Sequence, residues 1–208
     1  MDNDSRVLGL AEQVIGKAKG ISDALLLNVS RGLGMCIISN GHIVSGGLGF
    51  AGEFGHMQFG DKKRLCLCGK KNCLGTEVSG YSLEEDLKDA IRLGDESLFI
   101  KESNLQYEEI LKAAMKGDAL CIRLIQQQGE KLGESLGNII NLLNPSVIII
   151  GGEFAATGDI FLDAIKIGIK RSALINALGR CDIENSYLVH AAVMKGSAAL
   201  VYQNLRLL

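Results

Sequence analysis

Asn144-Pro-Ser-Val-Ile-Ile-Ile-Gly-Gly152 is the stretch that decides the fold class. Proline disfavours helical geometry in the residue before it, so Asn144-Pro145 ends whatever helix precedes it. The apolar run over 146–150 shows no polar alternation. That is the pattern of a strand buried on both faces of a parallel sheet. Gly151-Gly152 closes the strand with a turn, and open α/β sheets bind ligands at such carboxyl ends. Outward from this stretch, periodicity predicts a long helix over 118–143 and another over 160–171. A strand near 182–189 and a closing helix over 191–205 follow. Helix, strand, helix and strand in this order describe a mixed α/β domain, with helices flanking a mixed sheet.

The N-terminal half is richer in strands. Residues 5–19 have helical periodicity, with Leu8, Leu10, Ala11, Val14 and Ile15 apolar. Residues 24–29 and 34–39 are short apolar runs that read as strands. Asn40-Gly41 is a hairpin signal between the second of them and Ile43-Val44. A further strand is expected over 54–59. A helix over 83–93 has Ser82 as its expected N-cap and Glu85 completing a capping box. Another helix spans 107–116, and Gly117 separates it from the long one. Gly129, Gly133 and Gly137 recur at four-residue spacing on one face of that long helix, which suits close packing of another element.

Composition narrows the class. The chain has 208 residues, is 47% hydrophobic and carries a formal net charge of -2. That length buries a real core in one domain or one and a half. The overall charge gives no support for nucleic-acid binding. Lys62, Lys63, Arg64, Lys70 and Lys71 cluster locally and read as a solvated loop in preference to a phosphate patch. Residues 1–20 contain no signal peptide, and no apolar run approaches the roughly 18 residues of a membrane span. A reducing, cytoplasmic setting is expected, with no membrane partner.

Within that setting His56, Cys66, Cys68 and Cys73 stand out. One imidazole and three thiolates make a complete tetrahedral zinc set, and a complete set implies a structural ion. Two disulfides, or core thiols beside a lone histidine, are the alternatives. Cys66 and Cys68 are too close to share a comfortable bridge, and clustered cysteines in a reducing setting favour a metal. The expected zinc loop is 56–75. Cys36 and Cys121 lie in apolar stretches and read as buried small hydrophobes.

Four other segments are candidates for chemistry. Asn3-Asp4 precedes the first helix, where Asp4 on its own reads as an N-cap. Ser30-Arg-Gly-Leu-Gly34 is a glycine turn after a strand. Gly32 and Gly34 then frame backbone N–H groups of the kind that bind phosphate, although a plain hairpin turn is the simpler reading. Glu53 sits between Gly52 and Gly55, beside a zinc ligand, where a carboxylate can accept hydrogen bonds from a polyol. Gly151 and Gly152 are the fourth.

Taken in order, these segments resemble the ROK family of repressors, open reading frames and sugar kinases. Gly52-Glu-Phe-Gly-His56 is similar to the family's Gly-Glu-x-Gly-His segment, and 66–74 is similar to its Cys-x-Cys-Gly-x-x-Gly-Cys-Leu zinc motif. The Asn3-Asp4 segment, 144–152 and Gly196-Ser-Ala-Ala-Leu200 match further segments. The resemblance implies an actin-like ATPase (ribonuclease H-like) fold plus a zinc loop. It makes residues 1–208 the C-terminal part of a ROK protein. The Asp-x-Gly-x-Thr half, and the winged helix-turn-helix of family repressors, would precede Asn3. It also implies a sugar or amino sugar bound by Asn3, Asp4, Glu53, His56 and Glu77, and a homodimer or tetramer. DNA would be reached only through the preceding module.

Three departures from the family pattern bear on activity. Arg31 stands where kinases carry the threonine of Gly-Thr-Gly-x-Gly. Asn3-Asp-Ser-Arg-Val7 replaces Asn-Asp-Ala-Asn-Ala. Gly75 follows Cys-Leu where a sugar-contacting glutamate is usual, with Glu77 two residues on. The expectation is therefore the sugar-sensing and oligomerisation domain of a ROK-type transcriptional regulator, with structural zinc. The alternative is part of an ATP-dependent sugar kinase of the glucokinase or N-acetylhexosamine kinase kind. Asp4 would then be the general base, and ATP with Mg2+ would span the Gly32–Gly34 and Gly151–Gly152 turns.

Overall fold

The computed structural model describes residues 4–60, 63–98 and 105–188. Its sheet contains β1 (Ala24–Val29), β2 (Leu33–Ser39), β3 (His42–Ile43), β4 (Val147–Gly151) and β5 (Asp182–Asn185), in the order β3-β2-β1-β4-β5. β1 runs antiparallel to β2 and parallel to β4, and β4 runs parallel to β5. The sheet is mixed, as expected. β4 is buried at every residue. Ile148 and Ile150 join Leu25, Leu27 and Val29 of β1 in one core, whereas Val147 and Ile149 join Ala24 and Leu26 in the other. Both faces of the sheet are covered, which is why the sequence of these strands shows no alternation of polarity.

Helices sit on each face. α1 (Asp4–Ile15) presses Leu8 and Ala11 onto the smaller core. α2 (Gly80–Arg92), α3 (Tyr107–Met115), α4 (Ala119–Leu143) and α5 (Asp159–Ser172) enclose the larger one, and a single turn, α6 (Ile175–Leu178), follows. α4 and α5 meet backbone to backbone. A Cβ on Gly133 would lie 2.1 Å from the Ile165 carbonyl oxygen, and one on Gly168 would lie 2.0 Å from that of Glu130. Among the described residues no helix is long and apolar enough to cross a membrane.

Four boundaries differ from the sequence expectation. α1 stops at Ile15, before Gly16, where 5–19 was expected. Residues 54–59 do not form a strand. Phe54–His56 is a 3-10 turn, and only Gln58 makes an isolated bridge, to Cys73. The short glycine spacing around Glu53 demands a tight turn that an extended strand cannot supply. The N-cap of α2 is Ser79, whose side chain accepts from the Ser82 N–H. Ser82 is instead buried and donates to the Thr76 carbonyl, and Glu85 pairs with Lys88. β5 ends at Asn185. The helix expected over 191–205, and Asn3, lie outside the described residues.

α4 is capped by Asp118, which is buried and accepts from the Cys121 N–H, the Ser97 hydroxyl and the Leu98 N–H. Burial opposes ionisation, but these hydrogen bonds outweigh it and hold the carboxyl below its ordinary value. A depressed folded-state pKa stabilises above the unfolded value, about 3.9, and that stability disappears as pH falls through the folded value. Asp118→Ala should therefore cost on the order of 1–2 kcal/mol at pH 7. The gap between variant and wild type should shrink on acidification. Urea melts at both pH values check this, and equal midpoints at pH 7 would refute it.

Candidate functional site

The carboxyl end of the parallel pair carries the first part of the site. Asn28 of β1 faces Gly34 of β2 on one side and Gly151 of β4 on the other. Both neighbours must be small. A Cβ on Gly34 would strike Ser5 Oγ at 2.1 Å, and one on Gly151 would crowd Leu8 Cδ2 at 3.0 Å and the Leu27 carbonyl oxygen at 3.2 Å; Gly152 beyond it, at φ 83°, would strike the Val29 carbonyl oxygen at 2.3 Å. Asp4 opens α1, is exposed and accepts from the Ser5 N–H through Oδ1 at 2.7 Å. Asn28 Nδ2 donates to its Oδ2 at 3.4 Å, and Asn28 Oδ1 accepts from Ser30 Oγ at 2.9 Å. Asp4, Asn28, Gly34 and Gly151 thus converge. Asn28 was missed in the sequence, although an amide inside Leu-Leu-Leu-Asn-Val is itself a signal.

The second part rides on the start of β2. Gly52, at φ 89°, lies against the Met35 carbonyl, and Gly55 lies against that of Leu33, so any Cβ there would come within 2.4 Å of backbone oxygen. These two close approaches hold the turn between them in place. Glu53 starts that turn without a side-chain cap hydrogen bond. Its Oε2 lies 3.8 Å from His56 Nε2. The other ring nitrogen, Nδ1, lies 3.5 Å from Cys66 Sγ. The imidazole therefore faces the thiols with one edge and the carboxylate with the other.

The ligand atoms of His56, Cys66, Cys68 and Cys73 all lie within 4.8 Å of one another, and Cys68 Sγ is 3.5 Å from Cys73 Sγ. Zn–S bonds of 2.3 Å in a tetrahedron place sulfurs about 3.8 Å apart, so the donor set fits zinc. The thiol chemistry points the same way. Burial, and then hydrogen bonds with Cys68 and Cys66, push the Cys73 thiol up to about 12. The Lys70 N–H, ahead of opposing burial, draws the Cys68 thiol down. Crowded thiols resist joint ionisation unless a cation sits among them. Cys36, Cys121 and Cys181 are buried away from this group.

Arg64 ties the zinc loop to α2 through Asp86 and Asp89, both at 2.9 Å, so it is an anchor and not part of a free basic loop. Arg31 pairs with Glu84 of α2 at 3.0 Å. Between these anchors lies a cavity of about 550 Å³, lined by Arg31, Gly32, Leu33, Gly55, His56, Gly75, Tyr81 and residues of the zinc loop. Glu77 is buried, its carboxylate beneath Gly60. Gly75, not Glu77, is on the cavity wall.

The ROK family model matches residues 1–204. This chain belongs to the ROK family. It is 35% identical over 199 residues to the DNA-binding transcriptional dual regulator NagC of Escherichia coli, covering 96% of this chain and 48% of that protein. A solved ROK family transcriptional regulator, a homologue of the Escherichia coli Mlc protein, superposes with a TM-score of 0.89 at 32% identity, over 98% of this chain and 51% of the other. A ROK glucokinase from Streptomyces griseus, solved with glucose and AMPPNP, gives 0.82 at 26% identity, over 98% and 68%. The chain spans about half the length of the curated ROK repressors it matches. The actin-like kinase fold expected from the motifs is thus the fold observed.

Proposed function

We propose that this ROK chain is the sugar-sensing and oligomerisation part of a transcriptional regulator, braced by one structural zinc ion. The observation that carries the sugar half is the two-sided imidazole of His56. Nδ1 is turned to the thiols and Nε2 to Glu53, so zinc at the cluster would hold the ring, and the ring would hold a carboxylate at a fixed separation. A rigid carboxylate and imidazole suit two adjacent hydroxyls of a pyranose. Asp4, with Asn28 behind it and Asn3 preceding it, would supply the other side. The regulator half is supported by the similarity to NagC and to the Mlc homologue. DNA binding would belong to a module ahead of residue 3, and the effector would act by biasing one of two domain arrangements. Self-association as a dimer or tetramer belongs to the same reading.

Titration of the zinc-loaded chain with a panel of hexoses and amino sugars, followed by NMR, tests this. The expected affinity is weak, on the order of millimolar, or about -4 kcal/mol, because Gly75 removes a family contact. Signals of Glu53, His56 and Asp4 should move together, and Glu53→Gln should weaken binding by roughly tenfold. A sugar that binds while these residues stay silent and Gly151 and Gly152 respond would overturn the assignment. The glucokinase superposition keeps a kinase as the second reading. Sugar phosphorylation with ATP and Mg2+ that Asp4→Asn abolishes would establish it.

A further inference from the structure

We propose that the cysteine cluster is an oxidation site, at which a two-electron oxidant of the peroxide class joins Cys68 to Cys73 as a disulfide and sets the metal free. The inference rests on the zinc half of the reading above and is independent of its sugar half. Its starting point is an unequal distribution of exposure. The chain has six cysteines, all of them among the described residues. Cys68 is exposed and Cys66 half-buried, whereas Cys36, Cys73, Cys121 and Cys181 are buried. An oxidant arriving from solvent therefore meets Cys68 first, since susceptibility follows exposure as well as thiolate character.

The neighbour of Cys68 makes a reversible product available. Cys68 Sγ lies 3.5 Å from Cys73 Sγ, so a buried thiol stands directly behind the exposed one as a resolving group. Cys66 is engaged elsewhere, with its Sγ 3.5 Å from His56 Nδ1. Local backbone allows the two sulfurs to close. The chain reverses between Cys68 and Cys73, with the Cys66 N–H on the Lys70 carbonyl at 2.8 Å and an isolated bridge from Leu65 to Lys71. Gly69, at φ 83°, has open space where a Cβ would lie, so the turn can shift without a clash.

The chemistry balances with peroxide alone. The Cys68 thiolate attacks one peroxide oxygen and the O–O bond breaks. The departing hydroxide takes a proton and leaves as water, and Cys68 becomes a sulfenic acid. The Cys73 thiolate then attacks the Cys68 sulfur, and the S–O bond breaks. That hydroxide takes a second proton and leaves as a second water. Each sulfur gives up one electron and the two peroxide oxygens take them. The metal donors left are His56 and Cys66, too few to hold a tetrahedral ion. The change also reaches beyond the loop. Cys73 bridges to Gln58, and the Leu74 N–H bonds the Met57 carbonyl at 2.8 Å, so the oxidised residue is tied to the backbone that follows His56.

The test treats the zinc-loaded chain with hydrogen peroxide while a chromogenic chelator reports free zinc. One zinc ion per chain should appear as two thiols per chain are lost, and dithiothreitol with added zinc should restore both. Lys70 and Lys71 lie between the partners, so trypsin separates them and the bridge links two peptides. Fragmentation of that linked pair should place the bond on Cys68 and not on Cys66. Cys68→His keeps a metal donor and removes the attacking thiol. It should retain its zinc and release it at least about tenfold more slowly under the same peroxide. Zinc held through full exposure to peroxide would overturn the proposal. So would zinc lost to sulfinic or sulfonic acids without a disulfide, or a bridge that uses Cys66. Protein isolated without chelator that carries no zinc at the outset would overturn the zinc reading itself, and this inference with it.

Discussion

Cys73→Ser should abolish stoichiometric zinc binding and lower the melting temperature by about 8–16 °C. The size follows from linkage. Free zinc at about a thousand times its dissociation constant stabilises the folded chain by about 4 kcal/mol, and for a chain of this length each kcal/mol moves Tm by about 2–4 °C. Of the four candidate ligands, Cys73 has most to lose. It is fully buried, its backbone bridges to Gln58, and the Leu74 N–H beside it bonds the Met57 carbonyl. Loss of zinc there would therefore reach the His56 turn, not only the loop tip. Strong chelator should reproduce the loss in wild type and add nothing in the variant. Acid should do the same, because the thiols and the imidazole must shed protons to bind metal, so zinc-dependent stability falls as pH falls. Elemental analysis finding no zinc in chelator-free protein, or an unchanged Tm for Cys73→Ser, would remove the claim. Cys36→Ser is the control, since that thiol is buried in the core and lies outside the His56, Cys66, Cys68 and Cys73 cluster.

Gly133→Val should destabilise more severely than Asp118→Ala, and more than Gly117→Val. Glycine inside a helix ordinarily costs about 1 kcal/mol relative to alanine, so propensity alone would favour substitution. Space decides otherwise. The first added carbon would lie 2.1 Å from the Ile165 carbonyl oxygen and 2.8 Å from the Ile169 nitrogen, both backbone atoms of α5 that cannot rotate away. Forcing the helices apart costs at least the usual 1–3 kcal/mol of overpacking, and the branched side chain adds to it. At Gly117, φ 94° penalises valine through strain alone, since nothing lies within 4 Å of its Cβ. Gly133→Ala, carrying only the Cβ, should fall between wild type and Gly133→Val. Urea denaturation ranks the variants. A Gly133→Ala as stable as wild type would mean that α4 and α5 do not meet backbone to backbone.

Much of the fold was legible in the chain because it depends on local chemistry. A continuous apolar run ending in Gly151-Gly152 can be satisfied only by a strand covered on both faces, and β4 is that strand. The glycine row on α4 announces a close neighbour, since no other residue lets two helical backbones touch. A histidine and three cysteines within one short segment carry their tetrahedral preference with them, and the family motifs around them are equally local. What the sequence could not settle depends on which surfaces meet. Ser79 rather than Ser82 caps α2 because the helix already begins at Gly80, which leaves Ser82 inside it with its hydroxyl donated to the Thr76 carbonyl of the preceding 3-10 turn. Glu77 is buried while Gly75 faces the cavity, a difference that follows from the direction of the 3-10 turn Leu74–Thr76 and not from spacing. Asn28 reaches Asp4, and Arg31 shares a cavity with Gly75, because the sheet order brings β1, β2 and the start of α2 to one edge. Side chains that build a site across such an edge have no common period in the sequence, so only packing places them together.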